Sequence, residues 1–379
     1  MKRPTKNPDK PYYVAEYRGG DYAEWLLKEL YVAYRMARRG KRKTVDEHTF
    51  EVNELENLVR LRDDILSRNY KPSRGVAFLI SRPVIREIFA APFRDRIVHH
   101  FLYNVSAKWL DDRLINDSYS CRNNKGALYG IKRLEHFIRK VSKNGKEDVF
   151  VAKLDLQGYF MSLRRKSLND VIQKGLKRQF KRNEGHLYRT VRFLWKEIIF
   201  DDPIEGVKIR GNIKNWRKLP RSKSLFAQKK GLGIVIGNLT SQLLSNIYLN
   251  ALDRFITMTL GYKFYGRYVD DFFIVVPMDQ KEQLLRDVKV IEKFLKEELG
   301  LTLHPKKRVF RTARQGIPFL GAVVYLDHTV PGRRVSHNCR LAFGRYAEGI
   351  KDSAESVTSY RGHLKYINSK HFLKKLDEA

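Results

Sequence analysis

The sequence is poor in acid, poor in cysteine and without long apolar runs. Its 379 residues carry 42 Asp+Glu against 75 Lys+Arg, a formal net charge of +33. A chain that basic repels itself unless a polyanion supplies the missing negative charge. That excludes most metabolic enzymes and points to nucleic acid, with a membrane surface or a ribosome as the bland alternatives. Cys121 and Cys339 are too few for a disulfide framework and have no partners at zinc-finger spacing, so a reducing compartment is expected. No run of 18 apolar residues exists, and nothing apolar follows Met1-Lys2-Arg3-Pro4. The expectation is a soluble, unsecreted, cytoplasmic protein with no membrane partner. Repeats and low-complexity linkers are missing too. What is present is ample for a core: 42% hydrophobic residues, with 20 Tyr, 21 Phe and 4 Trp, exclude a disordered basic tail. The length suggests two or three subdomains.

Pro4, Pro8 and Pro11 keep the first dozen residues extended, and helical spacing runs over 22–37. Six of the nine residues 35–43 are basic, either an RNA-facing arm or a solvated charge run. Leu55, Leu58, Val59, Ile65 and Leu66 mark an amphipathic helix stopped by Asn69-Tyr70-Lys71-Pro72. Two short basic strands follow, over 77–80 and 85–89. A helix then begins at Asp95 with Ile97, Val98, Phe101, Leu102, Val105 and Trp109 on one side, where His99 and His100 read as ordinary helix residues. Residues 149–154 form a continuous strand-type run that ends in Asp155, and a basic insertion occupies about 201–230. Asn238 opens a helix whose Asn238, Gln242 and Ser245 align on a polar face. Strands over 264–268 and 272–276 make a hairpin with Asp270-Asp271 at its tip. Asp279 and Glu282 have capping-box spacing for a helix ending at Gly300. A strand pair over 317–326 and a basic helical tail after Asn338 complete the chain. This order predicts an α+β fold, an antiparallel sheet with helices packed on one face.

A carboxylate at the end of a buried strand is an expensive placement. Asp155 sits there, and Asp270 and Asp271 are delivered by a second apolar hairpin. Single acids in turns are mostly structural, but three carried by apolar strands have no cheap explanation unless a cation neutralises them. Oxygen-only ligands favour Mg²⁺ over zinc, and two hard cations bridged by carboxylates suit in-line phosphoryl displacement. One ion would lower the pKa of a primer 3′-hydroxyl; the other would hold a triphosphate and its departing pyrophosphate. The expected chemistry is nucleotidyl transfer on nucleic acid.

Several motifs occur in order: Tyr70-Lys71-Pro72, residues 82–86, Phe93-Arg94-Asp95-Arg96, Tyr119-Ser120-Cys121-Arg122 with Gly126, residues 153–160, residues 303–307 after Gly300-Leu301, and Phe319-Leu320-Gly321. On these the chain resembles reverse transcriptases. The resemblance implies a right-hand polymerase: a basic extension over 1–50, fingers over 51–147, a palm over 148–325 and a small helical thumb over 326–379. The length would leave no room for an RNase H, maturase, integrase or nuclease module. RNA template, DNA primer and deoxynucleotides are the implied partners. It implies two Mg²⁺ ions, with Mn²⁺ able to substitute, on Asp155, Asp270, Asp271 and Leu156. Arg82, where a Lys is often found, and Arg86 would bind the triphosphate. Phe160 would exclude a 2′-hydroxyl, or serve only as a core ring. Gly237 would admit the templating nucleotide, besides making a strand-to-helix turn. Lys307, or its neighbour Lys306, would protonate pyrophosphate, and Phe319-Leu320-Gly321 would grip the primer.

Most relatives have Gly-x-x-x-Ser-Pro where this chain has Ile236-Gly237-Asn238-Leu239-Thr240-Ser241-Gln242. Gln in place of Pro, together with the tail Tyr360-Arg361-Gly362-His363-Leu364-Lys365-Tyr366, is similar to the reverse transcriptases of diversity-generating retroelements. That narrower resemblance implies a prokaryotic or phage enzyme copying a template-repeat RNA into cDNA. Errors would fall opposite adenine, with Gln242 governing fidelity, and the cDNA would enter a variable gene by mutagenic retrohoming. A small, basic, oligomeric accessory protein would assist. A group II intron or retron-type reverse transcriptase, and a non-catalytic RNA-binding scaffold, are the alternatives.

Overall fold

The computed structural model describes residues 15–39, 44–81, 84–180, 185–350 and 353–377. In chain order the helices and strands of the first half are α1 (Tyr22–Ala37), α2 (Val45–Val52), α3 (Glu54–Leu66), β1 (Val76–Ile80), β2 (Arg86–Ala90), α4 (Phe93–Asp111), α5 (Ala127–Val141), β3 (Val149–Asp155), α6 (Tyr159–Ser162) and α7 (Arg165–Gln179). There follow α8 (His186–Phe200), β4 (Lys208–Ile209), α9 (Leu239–Arg254), β5 (Tyr265–Tyr268), β6 (Asp271–Pro277), α10 (Lys281–Phe294), β7 (Val309–Thr312), β8 (Ile317–Phe319), β9 (Ala322–Val324), β10 (Thr329–Pro331), α11 (Arg333–Ala347), α12 (Ser353–Leu364) and α13 (Lys370–Asp377). They divide into two compact units. One holds the chain up to Leu114 with Gln157–Leu252 and Leu295–Leu301; the other holds Ile115–Leu156, Asp253–Phe294 and Thr302–Ala379.

In the first unit α4 is buried on all sides. Besides its apolar stripe it turns Asn104, Ser106 and Ala107 inward, and the Trp195 indole of α8 donates to Ser106 Oγ at 3.1 Å. Asp21 caps α1 by accepting from the amides of Ala23 and Glu24, and Leu26, Leu30, Ala33, Tyr34 and Ala37 recur at helical spacing to pack that helix on α4. Tyr34 and Phe50 meet the Phe93 ring edge-on at 5.9 and 5.4 Å. A small sheet runs β2-β1-β4, antiparallel between β1 and β2 and parallel between β1 and β4.

The second unit is built on an antiparallel sheet ordered β5-β6-β3-β7. β3 is a run of β-branched and large apolar residues because its central place in the sheet buries both its faces. Val149 and Val151 of β3, with Phe273 and Val275 of β6, pack against Ile131, Leu134 and Ile138 of α5. The three-stranded meander β8-β9-β10 joins the same core through Ile317, Phe319 and Val324. Cys339, Phe343, Val357, Leu364 and Ile367 form a separate core for α11 and α12.

The described chain departs from the expected elements at several points. α5, α7 and α8 are helices that no sequence signal had marked. The helix expected from Asp95 starts two residues earlier, after Pro92. Asp95 is buried, accepting from the Tyr70 hydroxyl and the Ser73 amide. Asp279 lies in a one-turn 3-10 helix, Met278–Gln280, that precedes α10. The strand pair over 317–326 is a meander of three, and the tail helix begins at Arg333. Of the basic stretch at 35–43, residues 40–43 lie outside the described residues, as do Pro4, Pro8 and Pro11. Arg38 pairs with Glu51 and lies over the Tyr34 ring.

Since Leu30 is fully buried between α1 and its neighbours, Leu30→Ala should cost about 2–5 kcal/mol and lower the urea midpoint accordingly. An unchanged midpoint would mean that α1 is not part of the folded unit.

Candidate active site

The second unit brings the three expected acids to one end of its sheet. Asp155, the last residue of β3, is the direct cross-strand partner of Asp271, the first of β6. β5 and β6 are joined by the two-residue turn Val269-Asp270, with Tyr268 opposite Asp271. Val269 has φ +56°, a left-handed conformation that a β-branched side chain strongly disfavours. The turn is held from both sides. Arg267 Nη1 donates to the Val269 carbonyl at 2.9 Å, and the Leu156 amide donates to the Asp270 carbonyl at 3.1 Å. Arg267 is itself locked: Nε and Nη2 each lie 2.7 Å from an oxygen of Asp253, and both side chains are fully buried. The Tyr265 hydroxyl donates to the same Asp253 at 2.7 Å. On the other flank the His304 amide donates to the Asp155 carbonyl at 2.7 Å, placing the 303–307 segment beside the first acid.

Two ammonium groups face these carboxylates. Lys307 Nζ lies 2.9 and 3.0 Å from the two oxygens of Asp155, and both Lys306 and Lys307 are exposed. Lys153 precedes Asp155 by two residues, so it shares its face of β3. From there it reaches diagonally to Asp271, with Nζ 2.7 Å from Oδ1. Even so the Asp271 carboxyl is pushed up to about 7, first by burial and then by the charges of Asp155 and Asp270, against the pull of Lys153. Lys153, Arg267 and Asp253 escaped the sequence reading as partners. The one usable signal was a charge at alternate positions of an otherwise apolar strand.

The remaining expected site residues fall elsewhere. Phe319 is buried against Phe273 at 5.0 Å, and Leu320 and Gly321, with φ +48° and +88°, make the tight β8–β9 turn. Arg86, Phe160, Gly237 and Gln242 belong to the first unit, and Arg82 lies outside the described residues. Arg86 is exposed on β2, and Phe160 is half-buried against the cluster of Ala77, Phe89, Met161 and Leu225. Gly237 has φ +134°, and a Cβ there would stand 2.6 Å from the Phe89 carbonyl oxygen, so glycine is required for the chain to pass β2. Gly237, Asn238 and Gln242 line a cleft of about 1070 Å³ with Arg39, Arg96, His100, Lys208 and Arg210. Ser245 does not share that face: it is buried, and its hydroxyl donates to the Gln242 carbonyl at 2.9 Å. His99 is buried in α4. Its Nδ1 meets Thr240 Oγ1 at 2.8 Å, and burial, with His100 and Arg96 nearby, holds it down to about 3 and therefore neutral.

Residues 95–324, more than half of the chain, match the family described as reverse transcriptase (RNA-dependent DNA polymerase). The chain belongs to the reverse transcriptase family. Among solved structures it is similar to telomerase from Candida albicans in complex with a TWJ fragment of telomeric RNA, at 13% identity over 81% of this chain and 56% of that one, TM-score 0.49. The equivalent complex of Candida tropicalis telomerase is similar at 11% identity over 79% and 55%, TM-score 0.48. The chain therefore spans little more than half the length of those telomerases. No curated protein sequence matches it.

Reverse transcriptase domains work with divalent metal ions, typically Mg²⁺. The donors here suit such an ion: the three side chains are carboxylates, and Asp271 Oδ1 receives no aligned hydrogen bond despite its ion pair. Among the described residues no three Asp, Glu, His or Cys side chains are set to hold a metal as they stand. Lys153 and Lys307 supply the counter-charge instead.

A pH effect follows from Asp271. Its folded carboxyl holds a proton up to about 7, against 3.8 ordinarily, so the metal-free protein loses stability as pH rises from about 4 through 7. In chelator, wild type should lose on the order of 1–3 kcal/mol relative to Asp271→Asn across that range, read as urea midpoints at pH 5 and 7.5. Parallel pH profiles for the two proteins would contradict the shift.

Proposed function

We propose that Asp155, Asp270 and Asp271 are the catalytic acids of this reverse transcriptase, and that it copies a template-repeat RNA into cDNA with frequent errors opposite adenine. The observation that carries the catalytic reading is the cross-strand pairing of Asp155 with Asp271 at a sheet end, beside Asp270 on a strained turn, inside the span that matches the family. Two Mg²⁺ ions bound there, with Leu156, would activate a primer 3′-hydroxyl and neutralise the triphosphate.

The chain's own groups do the rest. Lys307, released from Asp155, protonates the departing pyrophosphate. Arg82 and Arg86 hold the triphosphate, Phe160 excludes a 2′-hydroxyl, and Phe319-Leu320-Gly321 position the primer. In functional terms the fingers run over 51–147, the palm over 148–325 and the thumb over 326–379, following a basic extension. The diversity-generating reading rests on the motif 236–242. Gln242 is exposed on the cleft that Gly237 also lines. An amide both donates and accepts, so it can tolerate base pairings that a Pro ring would not. The enzyme then acts in the cytoplasm with a small basic accessory protein and delivers altered cDNA to a variable gene.

Primer extension tests both levels. Asp270→Ala should lower extension on an RNA template on the order of 10³-fold or more while leaving RNA binding nearly intact; substantial synthesis would remove the catalytic assignment. Sequenced cDNA from wild type should show errors concentrated opposite adenine, and Gln242→Pro should change that error more than the extension rate. Tenfold in fidelity is only about 1.4 kcal/mol. Uniformly low error at all four template bases would leave a reverse transcriptase without the diversity-generating role.

A further inference from the structure

The segment 206–252 contains no Asp or Glu, and within it Lys208, Arg210, Lys214, Arg217, Lys218, Arg221, Lys223, Lys229 and Lys230 are all exposed. Among the described residues none of these nine cations meets a carboxylate. Such a stretch repels itself, and over 208–230 almost no regular structure supports it: a two-residue strand, then three short 3-10 helices, Ile213–Lys218, Arg221–Lys223 and Leu225–Ala227. It is nevertheless a built surface. Asn212 caps the first turn by accepting from the Lys214 amide at 2.8 Å, Gln228 donates to the carbonyls of Arg221 and Ser224, and Leu219 and Leu225 are buried beneath.

The anchor is Glu87 of β2, whose side chain is fully buried. One carboxylate oxygen accepts from the Trp216 indole at 2.7 Å and the Ser224 hydroxyl at 2.9 Å; the other accepts from the Leu225 amide at 2.6 Å. Burying a carboxylate is costly unless its oxygens are satisfied. Here the buried acid is given wholly to neutral donors, and the nine cations of the segment are left without a carboxylate. That is the reverse of what stability alone would favour, and it suits a surface whose counter-charge arrives with a ligand. Lys208 and Arg210 also line the cleft that holds Gly237 and Gln242, so the cationic surface is continuous with that cleft.

We propose that the segment 208–230 is a sequence-independent docking platform for the phosphodiester backbone of the template RNA, set in place by Glu87. This rests on the reverse transcriptase reading. Phosphates spaced along a flexible strand fit cations spread over irregular turns. The platform grips RNA apart from the chemistry of strand extension.

Equilibrium binding of a long single-stranded RNA across a salt series tests it. Neutralising Lys214, Arg217, Lys218 and Arg221 to Gln should make the slope of log affinity against log salt shallower by about 3, at roughly 0.7 per phosphate contact. Gln at Lys166, Lys174, Lys177 and Arg178, equally exposed on α7, should change it little. Equal loss from both sets would overturn the platform, as would an unchanged slope in the first. Glu87→Gln separates positioning from bulk charge. Removing a negative charge should tighten binding on electrostatics alone, whereas an amide cannot accept from all three donors, so the proposal predicts binding weaker by about threefold or more. Tighter or equal binding would overturn the anchor. Extension of a short primer–template by wild type is measured alongside; its failure would sink the polymerase reading and leave the binding result standing.

Discussion

Two carboxylates facing each other across neighbouring strands constrain the whole of the second unit. Like charges directly opposite destabilise a strand pair, and burial adds to the cost. Asp155 and Asp271 are held in that relation by long apolar pairing of β3 with β6 and by a turn that no local preference would select. The left-handed Val269 persists because its carbonyl is tied to Arg267, and Arg267 is fixed by Asp253 with neither side chain exposed. Breaking that pair would leave an uncompensated buried charge, a loss of about 3–5 kcal/mol. Rigidity at the sheet end and charge at the sheet end are thus one arrangement: the ion pair behind the turn aims the acids, and Lys153 and Lys307 offset them.

How far this was legible in the sequence depended on distance along the chain. β3 and its terminal acid could be read because a continuous apolar run can end in a charge only at a boundary that has a use for it. α1 could be read from its spacing alone, and its Asp21 cap appears only in the fold. α7 could not, since its buried points are Leu168, Ile172, Gly175, Leu176 and the charged Arg165 in a basic helix, and Gly175 is there because a Cβ would come 2.7 Å from the Trp109 ring. Helical period placed Asn238, Gln242 and Ser245 on one face, but it cannot tell an open face from a hydroxyl turned back to its own helix. The pairs of Arg267 with Asp253 and of Glu87 with Trp216 and Ser224 join residues whose meeting only the fold decides. Capping-box spacing at Asp279 was overruled by Pro277, which leads into a 3-10 turn.

The excess of positive charge has the same division. In the second unit ammonium groups sit against the acids they offset. In the first, none of the nine cations of 208–230 meets a carboxylate among the described residues, and the buried Glu87 beneath them accepts only from neutral donors. One pattern stabilises a metal-free sheet end; the other leaves a cationic surface without carboxylate partners. A net charge of +33 is then a constraint on what the chain can bind rather than on its fold.

The central claim is that Asp155 and Asp271, now facing lysines, are the ligands of the cation pair that polymerisation requires. Electron paramagnetic resonance titration with Mn²⁺, in the presence of primer–template and an unreactive deoxynucleotide, measures it most directly. Wild type should bind two ions per chain, and Asp155→Asn combined with Asp271→Asn should bind neither tightly. Equal Mn²⁺ occupancy in the two proteins would contradict the account.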